Sequence, residues 1–343
     1  MTSIVSTSPA PQTATAGGTP GPGRSCPLDY RYAPQALREA SEIGADVLWI
    51  AGGLYGNTEA LRTLQGLVDD EPADRVALVF NGDFHWFDVA PSAFETIQAG
   101  VLRAYALRGN VETELARESS GDDDPGCGCA YPDSVPQEDV DRSNAMAASL
   151  RATAIAVGAT TALRALPMVG RARVGALRVG IVHGDDRSLS GWRLAHDTLD
   201  ASRLDGLDAS FDAAGIDLLA SSHTCLPVAS TFASARDGRE LAVINNGATG
   251  MANFAGSTHG IATRIVRAGV PAPSGLRVLY RAALGGCEVQ AVAIDFDASA
   301  WLAAFDRQWP PGSPAERSYR ARIVGGPGYR VQDAVRGRFA VPD

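Results

Sequence analysis

Residues 46–61 read DVLWIAGGLYGNTEAL. An apolar run, two adjacent glycines and then a stretch with leucines at helical spacing predict a buried strand, a tight turn and a helix with Asn57 as its N-cap. The same order recurs along the chain. DRVALVF (74–80) precedes NGDFH, VLRAYAL (101–107) precedes RGNVE, LRVGIVHG (177–184) runs into a histidine, IDLLASSHTC (216–225) into another, and ELAVINNGATG (240–250) into a polar turn. Helical stretches are expected at 34–43, at 57–70, near 91–100 and over 137–164, and CEVQAVAID (287–295) alternates as a half-exposed strand does. Strands and helices in alternation predict an α/β fold with a parallel or mixed sheet and helices packed on it.

The chain has 343 residues, enough for a substantial core, and is 45% hydrophobic and 20% charged, as soluble globular proteins are. Its formal net charge of −9 argues against non-specific binding of nucleic acid or anionic membrane. No apolar run approaches the roughly 18 residues of a membrane span. The first 25 residues, rich in Ser, Thr, Pro, Ala and Gly, are expected to form a disordered tail with no secretory leader. Five cysteines, an odd number, do not suggest a disulfide framework, and a reducing cytoplasm is the expected location. The main domain is expected over 26–310, with a C-terminal extension over 311–343. The stretch ESSGDDDPGCGCAYPDSVP (118–136) reads as an insertion loop of a length that often carries function.

In open α/β sheets, ligands gather at the carboxyl ends of the strands. The strand-end turns hold Asp83, Asn110, His183 and His223. A carboxylate, an amide oxygen and two imidazoles suit a divalent transition metal such as Zn²⁺, Mn²⁺ or Fe²⁺. Taken singly, Asp83 and Asn110 would be ordinary turn residues and the histidines satisfied core groups. Their joint placement is what points to a ligand set.

The six turns GGLYGNTEAL, NGDFH, RGNVE, VHGDD, SSHTC and NNGAT, in that order, resemble the motifs DxHGNxxAL, GD, GNHD/E, HG, GHTH and NPGS of the calcineurin-like metallophosphoesterases, in their small bacterial branch. The resemblance spans about residues 46–296. It implies a central β-sandwich of mixed sheets flanked by helices, and two metals bridged by one Asp with a bridging water as nucleophile. Asp83 matches the bridging carboxylate, and Asn110, His183 and His223 match the other ligands of one metal. The second metal's Asp and His fall on Gly53 and Tyr55, its distal His falls on Cys225, and the His that assists the leaving group falls on Val111.

Cys225 as a thiolate could join Cys127 and Cys129 in a rebuilt sulfur site, with Cys26 as a possible fourth ligand. Against this, free cysteines are commonly packed as small hydrophobes, the expectation for Cys287. Glu112 and His85 are the candidates to replace the missing proton donor. Tyr55 and Asn57 are candidates for the substrate side, Tyr55 through its phenol or as an aromatic lid. His196 and His259 have no motif support.

These residues imply a metal-dependent hydrolase of a phosphate ester or anhydride, with one or two divalent metals and a small phosphorylated compound or nucleotide as substrate. Two alternatives stand beside it. One is an inactive binding or sensor protein of the same fold, and the other is a repurposed zinc or iron centre built with the cysteines. The glycine at 53 leaves open space where the second metal's ligands would project, which a cysteine loop, a water or a phosphate could occupy.

Overall fold

The computed structural model describes residues 21–118, 124–200, 204 and 206–342. Two mixed sheets pack face to face. The first has seven strands in the order β1 (Glu42–Ala45), β5 (Val169–Val174), β6 (Leu177–Val182), β7 (Leu218–Ser221), β9 (Glu240–Asn245), β8 (Val228–Ala233) and β13 (Val335–Arg336). The second has six in the order β11 (Val278–Leu284), β12 (Cys287–Ile294), β10 (Gly260–Arg267), β2 (Val47–Ala51), β3 (Val76–Asn81) and β4 (Tyr105–Leu107). This is the expected sandwich.

The period-two alternation of each strand divides its side chains between two cores. In β2, Leu48 and Ile50 point between the sheets and meet Val179, Ile181 and Ile244, while Val47, Trp49 and Ala51 point outward. There they meet Leu61 and Leu64 of α2 (Thr58–Asp69), Phe94 of α3 (Pro91–Val101) and Met146 of α5 (Gln137–Ala156). The far face of the seven-stranded sheet is covered by Leu37, Leu207 and Phe211. Strands buried on both faces read as continuous apolar runs, which is why DVLWIA is recognisable.

β2, β3 and β4 run parallel, as do β6, β7 and β9, so their carboxyl ends gather on one rim of the sandwich. The helix after β2 begins as expected, with Asn57 Oδ1 accepting from the backbone N–H of Glu59 and Ala60 at 3.0 Å each. Asn57 Nδ2 donates to Gly250 O, so both ends of that amide are spent on the turn and none faces a substrate.

Several boundaries differ from expectation. The strand expected over 101–107 is confined to Tyr105–Leu107, because Val101 closes α3. The helix expected over 34–43 stops at Glu39, where Glu42–Ala45 leaves to pair in parallel with β5. β10 escaped the sequence reading because Arg264 interrupts its apolar pattern. The Arg264 guanidinium is buried against Glu71, at 2.6 and 2.8 Å, and Gln290, and Trp49 Nε1–H also donates to Glu71.

The segment expected as an extension, 311–343, supplies strand β13 and the helix Pro314–Gly325, which packs on α5. Residues 1–20 of the expected tail lie outside the described residues. Residues 21–25 are tied down, with Gly23 N–H donating to Pro125 O and Arg24 to Val135 O. No helix among the described residues is long and apolar enough to cross a membrane.

Candidate metal centre

Asp83, Asn110, His183 and His223 come together at the shared rim. Asp83 lies just beyond β3, Asn110 opens α4 (Asn110–Ala116) after β4, and His183 and His223 follow β6 and β7. His183 Nε2 is 3.2 Å from Asp83 Oδ2, 3.0 Å from Asn110 Oδ1 and 3.2 Å from His223 Nδ1. All four residues are buried. Among the described residues, Asp83, His183 and His223 are the group of acidic, His and Cys side chains whose ligand atoms approach one another within 4.8 Å.

The outer hydrogen bonds decide which atoms face inward. His183 Nδ1–H donates to Asn81 O at 2.9 Å, which leaves Nε2 bare in the neutral ring. His223 Nε2–H donates to Cys129 O at 3.0 Å, which leaves Nδ1 bare. Asn110 Nδ2 donates to Cys127 O at 2.9 Å, which turns its amide oxygen inward. Asp83 Oδ1 accepts from Val111 N–H, leaving Oδ2 for the centre. Four lone pairs therefore converge with their protons turned away. Partners of this kind orient the ligands of metal sites.

The electrostatics agree with a positive centre. Burial disfavours charge on Asp83, but the facing His183 imidazole outweighs it and holds the carboxyl below its ordinary range. Burial likewise opposes the His183 cation, yet Asp83 raises that ring above its usual value. Burial and the charge of His183 depress His223 to about 4. In the metal-free protein the pair thus favours a proton on His183 facing the Asp83 carboxylate, at the place a cation would otherwise take.

Close approaches explain the glycines of these motifs. A Cβ on Gly109 would lie 2.2 Å from Asp83 Oδ1, and one on Gly52 would lie 2.2 Å from Gly247 O. Asp83 itself has φ +52°. Its turn is held by Glu112, whose carboxylate accepts from the N–H of Asp83 and Gly109 at 2.8 Å each and of His85 at 3.2 Å.

The other candidates are placed differently from their expected roles. Glu112 spends its oxygens on those three backbone donors and does not line the cavity beside the centre. His85 turns the other way, bonded to Asp88 at 2.6 Å and stacked on Phe94 with ring centroids 3.7 Å apart. Among the described residues, the three cysteine sulfurs do not come together as a ligand group. Cys127 and Cys129 act chiefly through their carbonyls, which orient Asn110 and His223, while Cys129 Sγ, at the cavity wall, is a second acceptor 3.5 Å from Asn110 Nδ2, and positive φ at Gly126, Gly128 and Ala130 shapes the loop that presents them. Cys26 lies apart, 3.2 Å from Ser188 Oγ, and Cys287 is core.

Tyr55 and Cys225 do reach the cavity, a space of about 60 Å³ also walled by Trp86, Tyr131, Trp192 and Tyr319. That is room for roughly four waters. Trp86, Trp192 and Tyr319 were missed in the sequence because no motif marks them, and Tyr319 comes from the segment taken for an extension. The space expected beside Gly53 is filled by Tyr55 itself, whose phenol lies 2.9 Å from Cys225 Sγ.

No family model matches the chain, and no curated protein matches it. Among solved structures it is similar to a hypothetical protein from Pyrococcus horikoshii OT3, with a TM-score of 0.57 and 13% identity over 82% of this chain and 99% of that one. It also matches a metallophosphoesterase from Sphaerobacter thermophilus, with a TM-score of 0.49 and 16% identity over 82% of this chain and 100% of that one. At such identities the likeness to the Pyrococcus protein is one of fold.

Proposed function

We propose that this chain is a metal-dependent phosphoesterase-type hydrolase of the calcineurin-like class, cleaving a small phosphate ester or anhydride at a divalent transition metal. Asp83, Asn110, His183 and His223 would hold the cation. The observation that carries this reading is the convergence of their four lone pairs, with every competing proton turned outward. The order of the strand-end motifs supports it independently.

When bound, a divalent cation there supplies Lewis acidity to a phosphoryl oxygen and lowers the pKa of a water molecule. The chain's own residues do the rest. Cys127 O and Cys129 O keep Asn110 and His223 in the required orientation. Trp86, Tyr131, Trp192 and Tyr319 exclude bulk water and admit an object of phosphoryl size, so a larger leaving group stays outside the aromatic wall. Neither Glu112 nor His85 reaches the cavity. Without a general acid, whose contribution is typically about 10²–10⁴-fold, esters with good leaving groups are favoured.

The test is hydrolysis of bis(p-nitrophenyl) phosphate by protein of known metal content, beside His183→Asn and His223→Asn variants. Turnover that falls with metal content in both variants supports the reading, and turnover indifferent to chelation refutes it. The contact between Tyr55 and Cys225 favours a second reading, a binding protein without turnover. A firmly bound metal with no hydrolysis of any phosphoester would select it.

A further inference from the structure

The resemblance to two-metal phosphoesterases implies a second cation beside the first, reached by side chains at 53, 55 and 225. The residues there do not fit one. Gly53 offers no ligand, and a Cβ built on it would lie 2.1 Å from Tyr55 Cζ and 2.4 Å from the phenol oxygen. The tyrosine ring therefore occupies the volume into which any side chain at 53 would grow. Its hydroxyl is 2.9 Å from Cys225 Sγ, so the thiol at the third ligand position is already engaged by the phenol. Tyr55 and Cys225 both have positive φ, +54° and +62°, conformations seldom adopted by side chains of this size. Backbone strain of this kind persists where surrounding structure enforces it, and it clusters at functional sites.

We propose that the chain binds a single cation and that the Tyr55 phenol, braced by Cys225, takes the second cation's place as a neutral hydrogen-bond donor to the phosphoryl group. The inference rests on the phosphoesterase reading and narrows its substrate class. Among the described residues no arginine lines the cavity, and the sequence contains no lysine. Arg322 is turned away, donating to Cys225 O and Ala252 O. One divalent cation beside the Asp83 carboxylate leaves the four-ligand set one unit positive, with neutral imidazoles and a neutral phenol around it, and the buried Glu112 carboxylate behind the Asp83 turn, outside that set, only reduces the field. That charge matches the single negative charge of a phosphodiester, whereas the dianion of a monoester would be left under-compensated.

The experiment counts transition metal per chain by elemental analysis after loading with Zn²⁺ or Mn²⁺, for the wild type and for the combined Gly53→Asp, Tyr55→His, Cys225→His variant. One per chain in the wild type is the expected result, and a rise to two in the variant strengthens it. Two in the wild type overturns this inference and leaves the proposed function standing. None overturns both. With the loaded wild type, kcat/KM for bis(p-nitrophenyl) phosphate is expected to exceed that for p-nitrophenyl phosphate, and the reverse order overturns the assigned substrate class. Tyr55→Phe keeps the ring and removes the donor. It is expected to leave metal content unchanged while kcat/KM for the diester falls about tenfold, the scale of one hydrogen bond to a charged group. An unchanged value overturns the role given to the phenol.

Discussion

Glu112→Gln separates the part of the centre that holds the backbone from the part that holds the cation. In the wild type two carboxylate oxygens accept from three buried N–H groups, those of Asp83, Gly109 and His85. A glutamine of the same shape has one acceptor. With its oxygen placed toward Asp83 and Gly109, its amide faces the N–H of His85, leaving one donor unsatisfied and opposing it with a second. An unsatisfied buried donor costs about 1–3 kcal/mol, so with the donor–donor contact the expected loss is about 2–4 kcal/mol. Asp83 suffers beyond this, because its left-handed backbone intrinsically costs about 1–2 kcal/mol and the charge-assisted bond that holds it becomes a weaker neutral one. Metal affinity should then fall by about 10–100-fold, as when an outer partner of a ligand is lost. Urea unfolding of the metal-free proteins and a competitive chelator titration measure the two effects. A stability change under about 0.5 kcal/mol with metal affinity within twofold of wild type would refute the assigned role.

Metal affinity should rise with pH, about tenfold per unit while binding displaces the proton that Asp83 stabilises on His183, and calorimetric titration at three pH values reads it. In the metal-free protein His223 has its folded value near 4 against an ordinary 6.5. Its contribution to stability is therefore complete above about 6.5 and is lost as pH falls toward 4, whereas that of His183 is complete below about 6.5 and is lost as pH rises through its raised value. Far from the centre, Glu71→Gln leaves the buried Arg264 guanidinium without its countercharge and should cost about 3–5 kcal/mol in urea unfolding, with metal content per folded chain unchanged.

What the sequence made legible was whatever depends on local order. Apolar runs followed by polar turns locate β2, β3, β6, β7, β9 and, with its start placed too early, β4, and the residues closing those turns include all four lone-pair donors. Strands whose signal depends on a distant partner were not legible. β10 contains a buried arginine that makes sense only beside Glu71, on another element. The cysteines show the same limit in the opposite sense. A Cys-x-Cys pair next to a metal motif suggests sulfur ligation, yet the useful atoms of Cys127 and Cys129 are their carbonyls. Any residue type supplies a carbonyl, so composition carries no trace of that role.

On the proposed phosphoesterase reading, the opening stretch makes the strongest case for a centre that is rebuilt rather than decayed. Loss of ligands by drift would leave Gly53 beside a void that water or any neighbour could fill. Here the residue two places on has turned into left-handed backbone, and its ring fills the space a side chain at 53 would take. Gly53 and Tyr55 therefore act as a pair: a side chain at 53 would evict the phenol, and without the tyrosine the glycine would leave a hole. Cys225 completes the set from the opposite sheet by holding the phenol oxygen. Among the described residues, the four non-glycine residues with positive φ are Tyr55, Asp83, Ala130 and Cys225. Three of them line the cavity, and the fourth sits between Cys129 and Tyr131, which do. Strain confined to one small aromatic cavity has its natural explanation in what the cavity must hold, and the arrangement proposed above, a phenol set beside a single cation, would account for it.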